Sequence, residues 1–218
     1  MWHDLAVLTA AEWRLEFRRR ASVAAVLLFA VGTVYVFSLA FGNLEPRLWN
    51  ALYWIILLFG ATNGLAGAFD RELRQRHAYY SQLCAPLALY LAKAAVNFGF
   101  LVAIGLLVWG LLALLFGDAV ADAPLFAATL ALGALGLSLI LTFLALIAGR
   151  VRNGPGLVAV LAFPVVLPLL LSVIKLGAVA ARVVQQLSTG RDLLLLAGVD
   201  LLALGLALLL VPTLWRDA

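Results

Sequence analysis

Six long apolar runs make up most of this 218-residue chain, and only short polar segments separate them. Each run has about the 20 apolar residues that an α-helix needs to cross the hydrocarbon core of a bilayer. Lipid offers no partner for backbone N–H and C=O groups, and the runs lack the two-residue alternation of barrel strands, so helices are expected. The sequence therefore predicts an all-α, polytopic membrane protein with a single domain over residues 1–218. The predicted spans cover residues 21–41, 48–69, 87–116, 125–149, 156–174 and 193–214.

The composition leaves no room for a separate soluble domain. Hydrophobic residues make up 66% of the chain and charged residues 12%, against about 25% charged residues in an average soluble domain. Cys84 is the single cysteine, which excludes an intramolecular disulfide and any CxxC motif. The first apolar run is too long for the core of a secretory signal, so we expect an uncleaved first span.

The basic residues predict the orientation of the chain, because positive side chains are retained on the cytoplasmic side. With the N-terminus inside, ten of the 15 basic residues are cytoplasmic, four are outside, and Lys93 falls within a span. The ten are Arg14, Arg18, Arg19, Arg20, Arg71, Arg74, Arg76, Arg150, Arg152 and Arg216, and the four are Arg47, Lys175, Arg182 and Arg191. Both termini are therefore predicted to be cytoplasmic. The net charge of +4 is a topology signal and does not indicate nucleic-acid binding.

An amphipathic pattern precedes the first span. Trp2, Ala6, Ala10, Trp13 and Phe17 recur at helical spacing, which is typical of a helix that lies in the membrane interface. Such a helix either anchors the first span or also takes part in gating or partner contact.

The most polar stretch lies between the second and third spans, in residues 70–86. Glu72 can pair with Arg76 at a favourable four-residue spacing, and Pro86 ends the helix that this stretch predicts. Its charged and aromatic side chains suit the docking of a soluble partner, although the charges also serve the orientation of the chain. A third polar segment, residues 175–192, predicts one or two short helices at the outer surface, as a lid or a plain connector.

Candidates for catalysis are scarce. His3 and His77 lie in different segments and form no metal-binding motif. The phosphate-binding sequence GxxxxGK[ST] is absent, so any ATP-driven work must be powered by another subunit. We expect no catalytic residue, no metal site and no cofactor on this chain.

Ionisable residues inside the spans are costly and so are functional candidates. Asp200 lies about 10 Å into the sixth span at 1.5 Å per residue, and Lys175 is predicted to extend toward it. The pair either orients helices or takes part in substrate passage. Lys93 is expected to extend to the cytoplasmic headgroups, and Asn97 to hydrogen-bond between helices.

Two prolines in the fifth span, Pro164 and Pro168, are expected to free backbone carbonyls and bend the helix. Glycines in the second and fourth spans, Gly60, Gly133 and Gly136 among them, permit close helix contacts.

Taken in order, these elements resemble the haem exporter protein B family, the permease of the cytochrome c maturation ABC transporter within the ABC-2 class. The resemblance covers essentially the whole chain, and the proline run and the six-span length are its most specific parts. In one place, Gln75 to Tyr80, the chain departs from the Glu-Gly-Thr-like stretch that the family would show. The residues that carry the resemblance are Glu16-Phe17-Arg18-Arg19-Arg20, Phe69-Asp70-Arg71-Glu72, Leu83-Cys84-Ala85-Pro86, Leu91-Ala92-Lys93, Phe163-Pro164-Val165-Val166-Leu167-Pro168 and Val199-Asp200-Leu201-Leu202.

The resemblance implies a homodimer in the bacterial inner membrane that works with two copies of an ATP-binding cassette subunit and with other cytochrome c maturation proteins. ATP would bind to the partner subunit, and haem would be a transported or handled molecule. Residues 70–84 would be the coupling helix that seats in the ATP-binding subunit. Its expected contact residues are Asp70, Arg71, Glu72, Arg74, Arg76, His77, Tyr80 and Leu83.

Two other functions are compatible with the same helices. A generic ABC-2 exporter of lipid, glycan or drug would have the same spans and coupling segment. A membrane scaffold would bind its neighbours without any ATP-driven movement.

Overall fold

A computed structural model describes residues 9, 13, 20–65, 86–148, 154–184 and 189–216. Six helices account for nearly all of the continuous ranges, which confirms the all-α class for this part of the chain. They are α1 (Arg20–Ala40), α2 (Pro46–Leu65), α3 (Pro86–Phe116), α4 (Ala123–Ala148), α5 (Gly154–Ala180) and α6 (Thr189–Arg216).

Four helical segments are long and apolar enough to cross a bilayer. They are Pro86–Phe116, Ala123–Ala148, Phe163–Ala180 and Thr189–Leu214. The apolar part of α1, Ala24–Ala40, is shorter, and α2 carries several polar residues among its apolar ones. The chain is therefore a multi-pass membrane protein by the length and composition of its helices, and the count of six spans stays a prediction.

Local sequence signals explain where the helices begin and end. Pro46 and Pro86 occupy first positions of α2 and α3, where a missing N–H costs nothing. Gly117 ends α3 at a φ of 84° while its N–H donates to the carbonyl of Ala113 at 3.0 Å, a geometry that glycine adopts without strain. Asp122 caps α4, because its Oδ1 accepts the backbone N–H of Leu125 at 3.0 Å.

The fifth helix is longer than the sequence predicted. Residues 175–180 continue α5, and residues 181–184 form a turn. The prediction of short separate helices in 175–192 is therefore wrong for residues 175–184. No breaker intervenes before Arg182, whose φ of 52° ends the helix while the N–H of Val183 donates to the carbonyl of Ala178. Pro164 and Pro168 both lie within this continuous helix.

The centre of the bundle is α4, which packs against α2, α3, α5 and α6. Its buried face includes small residues, Gly133, Ala134 and Gly136 among them, which allow the neighbouring helices to approach closely. The peripheral helices expose large apolar side chains, such as Leu28 on α1 and Leu194 and Leu209 on α6. Exposure of leucines on this scale suits a surface that faces lipid.

The bundle has two ends. We call the loop end the one that holds the segments 41–45, 117–122 and 181–184. There the N–H groups of Ala121 and Asp122 donate to the carbonyl of Ala180 at 3.0 and 2.9 Å, so the α3–α4 connection is fixed to the end of α5.

Candidate functional site

The loop end contains a cluster of aromatic side chains around α2. The rings of Trp49 and Tyr53 stack with centroids 5.8 Å apart, and Phe126 lies 4.9 Å from the rings of both Tyr53 and Trp109. The first three of these side chains are fully buried. Aromatic pairs at such distances add to the free energy gained from burial, so the cluster gives this end a dense core.

Asn50 connects this cluster to α5. Its Nδ2 donates to the carbonyl of Ile174 at 2.7 Å, and its Oδ1 accepts the indole N–H of Trp54 at 3.1 Å. A Cβ placed on Gly177 would overlap the Asn50 amide, so glycine is required at that position. The sequence arguments overlooked Asn50; the signal for it was the four-residue spacing of Asn50 and Trp54 on one face of α2.

Lys175 pairs with a different acid from the one expected. Its Nζ donates to Oδ1 of Asp192 at 3.1 Å, so the predicted pairing of Lys175 with Asp200 is wrong. The reason is geometric. Because α5 extends to Ala180, Lys175 lies at the loop end, where α6 presents Asp192 in its first turn.

A polar seam between α3 and α4 lies toward the other end of the bundle. The Tyr90 hydroxyl donates to the carbonyl of Leu139 at 2.8 Å, and Nδ2 of Asn97 donates to Oγ1 of Thr142 at 2.9 Å. Asn97 therefore makes the kind of hydrogen bond between helices that was predicted for it. Lys93 is buried on the same helix, with 7% of its surface exposed, and its extension to the cytoplasmic headgroups stays a prediction. The residues on either side of it in α3, Ala92 and Ala94, are buried as well.

Asp200 lies near the middle of α6, about 16 Å along the helix axis from Thr189 at 1.5 Å per residue. The residue is 4% exposed, and neither carboxyl oxygen has a hydrogen-bond partner among the residues that the structure describes. A Cβ on Gly136 would overlap Oδ1 of Asp200 and Cδ1 of Leu169, so the carboxyl group lies directly against the backbone of α4. An acid in this setting is costly in lipid and is a candidate for function.

Beside Asp200 lies a cavity of about 500 Å³ between α3, α4 and α6. Its walls are almost wholly apolar and include Leu91, Phe98, Leu135 and Leu204. The only other polar side chain in the wall is that of Ser138, whose hydroxyl donates to the carbonyl of Leu135 in its own helix at 2.8 Å. Among the described residues, Asp200 is thus the single ionisable one that borders the cavity.

The structure describes only some of the remaining predicted site residues. Pro164 and Pro168 are exposed on α5, away from the cavity walls. All eight contact residues predicted for the coupling helix, from Asp70 to Leu83, lie outside the described residues, as does most of the predicted interfacial helix. From the latter, Thr9 and Trp13 are helical, and a Cβ on Gly99 of α3 would come within 2.9 Å of the Trp13 ring.

The described part of the chain contains no group of His, Cys, Asp and Glu that could hold a metal ion. Some of its intramembrane polar groups join helices, as Asn50, Asn97 and Tyr90 do, whereas Asp200 borders a cavity. Together with the lipid-facing leucines, these features define a polytopic α-helical membrane protein with one unpaired acid in the interior of its described part.

Comparison with known proteins gives the family. The sequence profile described as CcmB protein matches residues 4–214. The chain is also 32% identical over 211 residues to Heme exporter protein B of Pseudomonas aeruginosa, an alignment that covers 94% of this chain and 93% of the relative. The chain belongs to the CcmB protein family, which provides the membrane subunit of the haem-exporter ABC system for cytochrome c maturation. This result confirms the resemblance found from the sequence motifs.

Proposed function

We propose that this chain is a permease subunit that couples ATP hydrolysis by a partner subunit to haem delivery, or to the release of a haem-loaded chaperone, during cytochrome c maturation. The observation that carries the proposal is the family match over residues 4–214, which spans every helix of the bundle. The bundle supports it, because a multi-pass helical protein with few polar groups is suited to conformational change driven from outside the membrane.

The coupling step is assigned to residues 70–84. The assignment rests on sequence: this stretch is the most polar of the chain, it lies between two apolar runs, and its charged side chains can pair with a soluble protein. The contact residues proposed are Asp70, Arg71, Glu72, Arg74, Arg76, His77, Tyr80 and Leu83.

The proposed assembly contains two copies of this chain above two ATP-binding subunits, in the bacterial inner membrane with both termini cytoplasmic and six spans. The positive-inside bias of the basic residues supports the orientation. Reporter fusions at residues 45, 120 and 186 should locate these positions outside the cytoplasm, and a fusion at 151 should locate it inside. Native mass spectrometry of the purified complex should give two copies of the chain; a single copy would refute the homodimer and leave the family assignment intact.

A deletion strain tests the function. We expect c-type cytochromes to be lost in the strain, other exported molecules to be unaffected, and the wild-type gene to restore the cytochromes. Normal cytochrome levels in the deletion strain would refute the role in maturation, and loss of lipid or glycan export instead would favour a generic exporter.

Replacement of Arg71, Glu72 and Arg74 by alanine tests the coupling helix. The triple variant should insert in the membrane at normal levels but fail to restore the cytochromes or to couple to the ATPase. A matched control replaces Arg47, Arg182 and Arg191, which are charged residues of the opposite side, and should restore them. Full rescue by the coupling-helix variant would contradict the assignment and would suit a passive scaffold.

A further inference from the structure

The cavity between α3, α4 and α6 has the size and the wall chemistry of a small-molecule site. Its volume is about 500 Å³, within the range of about 300–1,000 Å³ that holds drug-sized ligands. Such sites combine apolar walls with a small number of polar groups that fix the ligand's orientation. Here the walls are leucine, alanine and phenylalanine, and the polar residues of the lining are Asp200 and Ser138.

The state of Asp200 indicates what the ligand must supply. Its two oxygens are buried and unpaired within the described part of the chain, and a buried acceptor without a donor costs free energy. The lipid acyl chains that would otherwise fill an apolar cavity have no hydrogen-bond donor. A ligand with an N–H or O–H group beside its apolar body would supply that donor and fill the cavity at the same time.

The dimensions of the site favour a small molecule over a helix of another subunit. The residues of the wall fall within 91–98 on α3, 132–139 on α4 and 197–204 on α6. Each stretch is two helical turns, about 10 Å long at 1.5 Å per residue, whereas a transmembrane helix would pack along much of the roughly 30 Å of the hydrocarbon core.

The same walls do not suit haem, so the ligand of this site is not the haem of the proposed function. Among the described residues, the cavity lining has no His, Cys, Met or Tyr that could bind iron. It also has no Lys or Arg that could pair with the anionic propionates of haem.

We propose that this cavity binds a membrane-soluble molecule whose apolar body fills the space between α3, α4 and α6 and whose amine or hydroxyl group donates a hydrogen bond to Asp200. An amine is the better of the two donors, since its positive charge strengthens the hydrogen bond to a carboxylate. The carboxyl group packs against Gly136, so the proposal requires that the Asp200 side chain rotate to turn its oxygens toward the cavity.

Photolabelling of the intact complex in native membranes tests the proposal. The probe is dodecylamine that carries a diazirine on its chain, and the matched control probe is the corresponding dodecane without the amine. We expect the amine probe to label peptides from residues 91–98 and 197–204, unlabelled dodecylamine to compete, and the alkane probe to label the whole lipid-facing surface alike.

Three variants sharpen the test. Asp200→Leu should lower labelling of the cavity peptides by about tenfold, the effect of losing one charge-assisted hydrogen bond. Ala95→Phe adds a ring to the cavity lining while it leaves Asp200 in place, and it should abolish labelling; it also decides the outcome if Asp200→Leu fails to fold. Leu209→Ala, on the exposed face of α6, should change nothing.

Equal labelling of the wild type and of both cavity variants would overturn the proposal, because the cavity would then hold only lipid. Cross-linking of a Leu201→Cys variant to another membrane subunit through its new thiol, together with absence of amine labelling, would also overturn it, since a partner helix would then cover the site. Neither result depends on cytochrome maturation, so a failure here is distinguishable from a failure of the proposed function.

Discussion

Two regions of this bundle differ in how fully their polar side chains are paired. At the loop end, Asn50 makes hydrogen bonds to Trp54 and to the carbonyl of Ile174, and Lys175 pairs with Asp192. Single polar atoms there, the Trp49 indole N–H, the Tyr53 hydroxyl and Oδ2 of Asp192, are buried without a partner among the described residues. In the middle of α6, Asp200 borders a cavity of about 500 Å³, and both of its carboxyl oxygens lack such a partner. The difference indicates that the loop end stabilises the bundle, whereas the region around Asp200 has a free energy cost that a function must explain.

The loop end should tolerate little added volume. A Cβ on Gly177 would overlap the Asn50 amide. We expect Gly177→Ala to lower the free energy of unfolding by about 1–3 kcal/mol, the usual cost of overpacking. The measurement is the thermal denaturation midpoint in detergent.

Gly198 on α6 provides the matched control, because nothing lies within 4 Å of a Cβ placed there. Gly198→Ala should leave the midpoint unchanged or raise it, since alanine favours a helix over glycine by about 0.5–1 kcal/mol. Equal losses at the two glycines would show that the loop end is packed no more tightly than the rest.

The Asn50 contacts should give the next largest effect. Asn50→Ala removes the hydrogen bonds to Ile174 and Trp54, and the groups left behind are buried. A loss of about 1–3 kcal/mol is expected in the free energy of unfolding. Thr62→Ala is the control, because the Thr62 hydroxyl bonds only to carbonyls of its own helix; its midpoint should stay close to that of the wild type.

The ion pair at the loop end should contribute least. The Lys175 side chain is 51% exposed, and exposed pairs contribute about 0.2–1 kcal/mol. Lys175→Met should therefore lower the midpoint slightly in low salt and have no effect in high salt, because salt screens the pair. Arg191→Met is the control for the change of charge. A large decrease in the midpoint that does not depend on salt would contradict this estimate and would show that Lys175 stabilises the loop end as a buried contact does.

The pattern of apolar and polar residues was sufficient to predict the positions of the helices, but not most of the contacts between them. Long apolar runs predict helices in lipid whatever their neighbours are, and so α1, α3, α4 and α6 begin and end within a few residues of the predicted spans. The pairing of Lys175 could not be predicted in the same way, because it depends on how far α5 continues past Ile174. The helix ends six residues later than predicted, at Ala180, and Lys175 therefore pairs with Asp192 and not with Asp200.

The candidate site was predictable only as a chemical anomaly. An acid within an apolar run singles out Asp200 from sequence alone, since charges in lipid are costly. The cavity beside it was not predictable, because its walls come from three helical stretches that are distant in sequence. Asn50 was missed because an asparagine close to the end of a span can be hydrated there without a free energy cost. Its four-residue spacing from Trp54 indicates a buried contact only once its partner on α5 is known.

The most direct test of this contrast compares Asn50→Ala with Asp200→Leu in a strain that lacks the chromosomal gene. Two quantities are measured for each variant: the thermal midpoint of the purified protein and the amount of c-type cytochrome per amount of variant in the membrane. Asn50→Ala should lower the midpoint and leave cytochrome per protein unchanged. Asp200→Leu should keep or raise the midpoint, because it removes an unpaired buried acid, and should abolish cytochrome maturation. Full cytochrome levels in Asp200→Leu with a lowered midpoint would contradict the account, since Asp200 would then be one more structural contact.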